Sequence, residues 1–396
     1  MNAPVPADAS ASLRTRPRVL WVGRMVFSSQ FRLREIEIAR QLARDIDIFA
    51  LDCTDAVMST GRLNMRARFL RKPFRVLEEG PMTRFTTRIA FSSGPPLNKL
   101  AARFNNARFA EAARHFGCTH VFHANPWAVL PPERGARDYH AHFDLIDDFF
   151  GDWPANRLGD ARRRFLARAM QTCDTLSACS LTLCDIAEKH ARRKAAYAPN
   201  AALRERFENV SAGEVEAVKR RYNLHGRFVV GFICNHNVGF DGMETIVKAW
   251  LAAALPDATL LIVGPGSDKF TRTLPATPGI VAVGAVPPEH VAAYFHACDA
   301  GVHPFAMVPV CDAALPLNVV EFSVCGKPVL TNPLLELRRQ ALPNVRFTAG
   351  ETVDAWVAAL RDPATFAPFD HEALRPKLAP LDWAASAAVI RREMGL

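Results

Sequence analysis

The chain has 396 residues, more than one hydrophobic core usually supports, so two domains are expected. With 49% hydrophobic and 22% charged residues, the composition excludes a disordered or fibrous protein, and a formal net charge of +9 favours anionic partners such as nucleotides and phospholipid headgroups. Nine scattered cysteines, with no Cys-x-x-Cys and no zinc-type Cys/His spacing, point to a reduced compartment and to no bound metal.

Residues 1–16 are small and polar, with no apolar h-region, which predicts a disordered start, no secretory signal and a cytoplasmic protein. RVLWV at 18–22 reads as a strand, 33–42 has helical apolar spacing, and IDIFAL at 46–51 reads as the next strand. This order opens a Rossmann-like unit, although the dinucleotide glycine fingerprint is absent. Between 62 and 75 the chain carries Arg62, Arg66, Arg68, Arg71, Lys72 and Arg75 interleaved with Leu63, Met65, Phe69, Leu70 and Phe74. Basic residues mixed with large apolar ones suit an anionic membrane surface, and equally a solvated surface segment. Nucleic acid is not expected, since stacking platforms and known binding motifs are absent.

A helix is predicted over 99–116, stopped by Gly117, with strands at 120–123 and 143–146 and helices near 162–170 and 181–190. A second alternating cycle runs from FVVGFIC at 228 through a helix near 243–254, strands at 259–263 and 280–283, a helix at 289–296 and a strand at 300–304. The apolar region 247–264 is interrupted by Lys248, Pro256 and Asp257 and is too broken to span a bilayer as one helix. Two such halves predict an α/β fold with two doubly wound parallel sheets facing a central cleft. The divisions are residues 1–16, a first domain at 17–198, a second at 199–380, and a final helix within 381–396.

The strand at 143–146 ends in Asp147 and Asp148, at the edge where parallel sheets place their ligands. A carboxylate there could take a proton from an attacking hydroxyl, or could cap the following loop. His123 and Asn125 follow another strand, and Asn235, His236 and Asn237 follow the strand that opens the second domain; turn-stabilising roles are open for all of them. Gly264 and Gly266 allow close backbone approach to a ligand. The segment 303–331 reads as a strand end with His303 and Phe305, a loop, a short helix and a strand. Pro316 suits the helix start, Gly326 its end, and Pro328 forbids continuation, so the first turn aims unpaired N–H groups into the cleft with Glu321 one turn on.

That segment, PLNVVEFSVCGKPVL, resembles the donor-binding stretch of GT-B glycosyltransferases of the bacterial group 1 (family 4-like) type, and the chain is distantly similar to the xanthan glucuronosyltransferase family. Pro316, Glu321, Phe322, Gly326, Lys327, Pro328 and Val329 match; Asn318 stands where these families carry a lysine on the diphosphate, and Ala313 where retaining members carry a second Glu. AYAPNAALRERF resembles the family's Pro-Asn hinge, and LIDD resembles the segment holding the base of the glucuronosyltransferases, with Asp147 at the matching position. The resemblance implies transfer of a hexosyl or uronosyl group from a UDP- or GDP-type nucleotide sugar to a lipid-linked or polysaccharide acceptor, without metal, in surface or exopolysaccharide biosynthesis. It implies donor contacts from Asn235, Asn237, Gly264, His303, Phe305, Asn318 and Glu321, and acceptor or diphosphate contacts among Arg24, Arg34, His123 and Asn125. A nucleotide-sugar epimerase of the same fold and a non-catalytic partner protein are the alternatives.

Overall fold

A computed structural model describes residues 16–23, 34–51, 74–80, 82–87, 97–124, 134–151, 160–236, 239–267 and 279–396. The first domain holds eight strands: β1 (Arg18–Val22), β2 (Asp47–Leu51), β3 (Phe74–Glu78), β4 (Met82–Thr87), β5 (His120–His123), β6 (His140–Leu145), β7 (Thr175–Ala178) and β8 (Ala196–Tyr197). Their order is β3-β4-β2-β1-β5-β6-β7-β8, parallel throughout except for the β3–β4 pair, with Leu20 opposite Phe49 and Val121. Helices α1 (Arg34–Leu42), α2 (Leu97–Phe116), α3 (Asp160–Thr172) and α4 (Leu181–Ala191) belong to this half. The central strands β1 and β2 are largely apolar runs because a parallel sheet is covered on both faces.

The second half begins with α5 (Arg204–Glu208) and α6 (Ala212–Arg221), whose Phe207 and Val218 enter its core. Its sheet comprises β9 (Phe228–Ile233), β10 (Ala258–Val263), β11 (Ile280–Gly284), β12 (Ala300–His303), β13 (Val329–Thr331) and β14 (Val345–Phe347), ordered β11-β10-β9-β12-β13-β14 and wholly parallel. Its remaining helices are α7 (Met243–Ala253), α8 (Val291–Ala297), α9 (Pro309–Asp312), α10 (Leu317–Val324), α11 (Leu335–Gln340), α12 (Val353–Arg361), α13 (His371–Leu378) and α14 (Trp383–Met394). The strand order reverses at β1/β5 and at β9/β12, which puts the ligand crevice of each sheet at the carboxyl ends of those strands.

The last helix returns to the first domain. Trp383, Ala387, Ile390 and Met394 recur at helical spacing and bury one face of α14 beside Val19, Trp21 and Ile36. Asp382 caps its start by accepting from the Ala384 N–H at 2.8 Å, and Gly395 ends it at φ 72°. A second tie crosses the domain boundary at α4. The buried Glu336 carboxylate of α11 accepts from the N–H groups of Leu181 (3.0 Å) and Thr182 (2.8 Å) and from the Thr182 hydroxyl (2.7 Å). An anion at a helix N-terminus satisfies unpaired donors and the dipole together.

The basic segment lies outside the described residues except for Phe74 and Arg75, which begin β3. Phe74 does not face a membrane. It is 9% exposed and packs edge-on against Phe85 (6.1 Å between ring centroids) and beside Phe116, because β3 lays its first residue over the core before running out along the sheet edge. Val76 and Leu77 of that edge strand are exposed. No helix among the described residues is long and apolar enough to cross a membrane.

Candidate functional site

The depth of α10 is set by glycines in the strands beneath it. A side chain at Gly301 would come within 2.4 Å of the Phe322 ring, and one at Gly231 within 2.9 Å, so the ring lies where two bare strands leave room. Burying Phe322 stabilises this seat by roughly 1.5–3 kcal/mol. It holds Asn318 and Glu321 on the same helix. Pro316 precedes the first turn as its cap residue, and Gly326 follows the end at φ 66°.

Below the start of α10 stands His303, the last residue of β12. It is 2% exposed, and its ring stacks on Phe305 at 4.2 Å and 13°. Burial lowers its pKa to about 3, against a smaller opposing effect of the neighbouring Asn318 amide, so the ring is neutral. Beyond the contact between these two side chains, His303 Nδ1 and the buried Nδ2 of Asn318 have no hydrogen-bond partner among the described residues. Incompletely bonded buried polar atoms are costly unless a ligand completes them, and these two flank the first turn of α10, where a helix leaves N–H groups unpaired.

Glu321 is partly buried, with no hydrogen bond to its carboxyl group among the described residues. Burial raises its pKa to about 8; Arg206 lowers it and Glu37, on α1 of the first domain, raises it. The group therefore sits where the second domain meets α1 and α5. On the far side of the donor strands, Gly264 takes φ 131° and passes so close to the Cys234 carbonyl that a Cβ would lie 1.8 Å from it. Gly266 also has positive φ, at 91°. Asn235 is exposed at the turn after β9. Asn237 lies outside the described residues, as do Arg24 and Asn125.

In the first domain the two aspartates have separate surroundings. Asp148 is buried and accepts from the N–H groups of Phe150 and Gly151, both at 2.9 Å, which is the loop-capping use of the side chain. Asp147 is partly buried, and its charge reaches Cys179 in its own domain and Cys311 in α9 of the other. The loop behind it meets α9 directly, since a Cβ on Gly151 would stand 2.6 Å from Pro309 Cβ. Asp147 is thus a carboxylate at the domain boundary. Ala313 is buried, and its carbonyl accepts from the Ser180 hydroxyl at 2.6 Å.

The structure gives Arg34 a different task from the expected diphosphate contact. Its guanidinium is buried, bidentate on Asp144 with both bonds at 2.8 Å, and its third bond goes to the Pro199 carbonyl at 3.0 Å. It ties α1 to β6 and to the domain connection. His123 is 1% exposed, neither ring nitrogen has a hydrogen-bond partner among the described residues, and burial, with smaller effects of Arg137 and His142, lowers its pKa to about 3. His303 and Asn318 are thus neighbours, Asp147 and Glu321 each lie where the two halves meet, and Asp148 and Arg34 hold the scaffold. Sequence reading quoted the segment AYAPNAALRERF without singling out its Arg206, which reaches Glu321 through the packing of α5 on α10.

Residues 227–367 match the family model described as glycosyl transferases group 1. A 142-residue stretch, 34% of the chain, is 31% identical to TuaH of Bacillus subtilis (strain 168), named for glycosyl transfer in teichuronic acid biosynthesis. The chain matches about a third of that relative's length, 35%. The fold as a whole is that of GT-B proteins. Sucrose-phosphate synthase from Thermosynechococcus elongatus superposes with a TM-score of 0.69 at 15% identity, over 96% of this chain and 98% of that one. The Anabaena protein HepE, solved with UDP and glucose, gives 0.68 at 15% identity over 96% and 100%.

Proposed function

We propose that the protein transfers a sugar from a nucleotide diphosphate donor to a lipid-linked or polysaccharide acceptor in surface polysaccharide biosynthesis, without a metal ion on the diphosphate. The observation that carries this reading is the pair of incompletely bonded buried polar atoms beside the start of α10, His303 Nδ1 and Asn318 Nδ2, in the stretch that matches group 1 glycosyltransferases, with Glu321 one turn further on. Glu321 would accept from the ribose hydroxyls. Asn318 Nδ2, the first-turn N–H groups and the helix dipole would hold the diphosphate in place of a lysine. Asp147 would take the acceptor hydroxyl's proton as its oxygen bonds to the anomeric carbon. The bond from that carbon to the diphosphate breaks, and the diphosphate leaves with the electron pair. One displacement inverts the anomeric centre, which agrees with an alanine at position 313.

HepE was solved with UDP and with UDP-glucose, which favours UDP as the nucleotide. A thermal-shift panel of UDP, GDP, ADP and TDP tests the donor side. A matching nucleotide at a hundred times its Kd stabilises by about 2.7 kcal/mol, and no shift with any of the four would overturn donor binding.

The acceptor reading places the first domain on the anionic inner membrane surface through residues 62–75. Each basic residue near such a surface is worth about 1 kcal/mol, and Phe69 and Leu70 would insert. Wild type is expected to pellet with anionic liposomes and less with neutral ones, and a variant with Gln at 66, 68, 71 and 72 to pellet poorly. Equal sedimentation of the two would make the segment an ordinary solvated surface.

A further inference from the structure

We propose that Cys234, His236 and Asp241 form a zinc site at the ligand edge of the second sheet. The three residues follow β9 within eight positions. Cys234 comes directly after the strand, His236 is in the turn, and Asp241 precedes the cap residue of α7. Their ligand atoms all lie within 4.8 Å of one another. His236 Nδ1 is 3.4 Å from Cys234 Sγ and 3.1 Å from Asp241 Oδ2. Tetrahedral zinc, with bonds of about 2.3 Å to sulfur and 2.0–2.2 Å to nitrogen or oxygen, sets these separations at about 3.5 and 3.4 Å. These two separations are within a few tenths of an ångström of that geometry.

The histidine tautomer makes the case sharper. Nε2 lies 3.1 Å from the Val263 carbonyl, an acceptor only, so Nε2 carries a proton. Nδ1 is left facing a carboxylate oxygen and a sulfur. Three polar atoms converge on one point, where the Cys234 S–H, a proton on Nδ1 or a cation can lie between them. A divalent cation uses all three as ligands once the thiol proton is released.

Each ligand is held before any ion arrives. Cys234 N–H bonds the Val263 carbonyl at 3.1 Å and His236 N–H the Pro265 carbonyl at 2.9 Å. Asp241 Oδ1 takes the Met243 N–H at 3.4 Å, which leaves Oδ2 for the cluster. The His236 ring rests edge-on against Phe232 at 4.5 Å, and its side chain is 1% exposed. Such outer contacts fix ring orientation and raise metal affinity. Thiolate with imidazole and carboxylate selects zinc over magnesium or calcium, which take oxygen ligands. On binding, the Cys234 S–H proton is released to solvent and a Zn–S bond forms, so affinity rises with pH. Three protein ligands leave a fourth position for water. The ion would tie the turn after β9 to the start of α7, apart from the incompletely bonded polar atoms beside α10.

The test is metal analysis of tag-free, chelator-free protein followed by cobalt titration of the apoprotein. One zinc per chain and a cobalt–thiolate charge-transfer band saturating at one equivalent are expected. Cys234→Ser should abolish the band, and Asp241→Asn, which keeps the cysteine, should weaken cobalt binding by roughly a hundredfold or more. Absence of the band in wild-type protein overturns the proposal and assigns the cluster to hydrogen bonds through the Cys234 S–H or a proton on Nδ1. So does a band that survives Cys234→Ser, because another cysteine would then be its source. If either variant fails to fold, the wild-type stoichiometry and band decide alone.

Discussion

Replacing Asp147 by Asn is expected to lower turnover by roughly a hundredfold or more while leaving donor affinity within a small factor. A general base acts on the proton that moves in the transition state, so its loss appears in kcat and not in ground-state binding of the nucleotide sugar. Asp147 is a strand-end carboxylate whose surroundings span both domains, reaching Cys179 on one side and Cys311 on the other. Asn keeps the size and the acceptor oxygen and loses the proton affinity. Asp148→Asn is the paired control: its carboxylate caps the N–H groups of Phe150 and Gly151, and an amide oxygen preserves part of that cap. Release of nucleoside diphosphate at saturating donor reads both variants. Full turnover in Asp147→Asn, or loss confined to Asp148→Asn, would move the base away from Asp147.

The largest expected effect on stability comes from Asp144→Ala, at about 3–5 kcal/mol. The substitution strands the Arg34 guanidinium, whose side chain is 6% exposed, without the carboxylate that receives two of its bonds. Burial by itself would raise the Asp144 pKa, and the Arg34 charge, with bonds from Arg34 and Ser177, outweighs this and holds it below the usual range. A depressed carboxylate contributes stability above its unfolded pKa and loses it as pH falls through the folded value, so acid should unfold the first domain through this pair. Replacing both partners by apolar residues of similar volume, Arg34→Met with Asp144→Leu, should recover most of the loss, because no buried charge is then left alone. Denaturant midpoints of the two single variants and the double variant measure this. A cost below about 1 kcal/mol for Asp144→Ala would mean that water or another group reaches Arg34.

The two sheets, most of their strands and α14 were legible in the sequence because each rests on local pattern. Apolar runs such as FVVGFI and ATLLIV mark buried parallel strands, and the spacing of Trp383, Ala387, Ile390 and Met394 marks one helix face. Contacts between distant residues were not legible. Arg34 meets Asp144 across 110 positions and Glu336 meets Thr182 across 154, and no periodicity records either pairing. Phe74 read as a membrane-inserting residue because its basic neighbours dominate the segment, while its burial is decided by Phe85 and Phe116. The loop at 304–316 hid the four-residue helix α9, too short to show a period. In the candidate site, Glu321 and Asn318 were visible through the framing of α10 by proline and glycine. Arg206 and the Cys-x-His-x4-Asp cluster were not, since neither carries an established spacing and both depend on how loops fold back on the sheet.

The most direct test of the proposed function is calorimetry of UDP binding to wild type and to Glu321→Gln. The ribose contact predicts a loss of about 1.5–3 kcal/mol, or roughly 10- to 150-fold in Kd, once the wild-type carboxyl group is ionised. Its pKa near 8 in the free protein adds a signature: the gap between the two proteins should widen as pH rises through about 8 and narrow below it. Gln resembles the protonated acid and has no such dependence. An unchanged Kd at every pH, for UDP and for each nucleotide that stabilises the wild type, would contradict the account and leave Glu321 as an ordinary residue of α10.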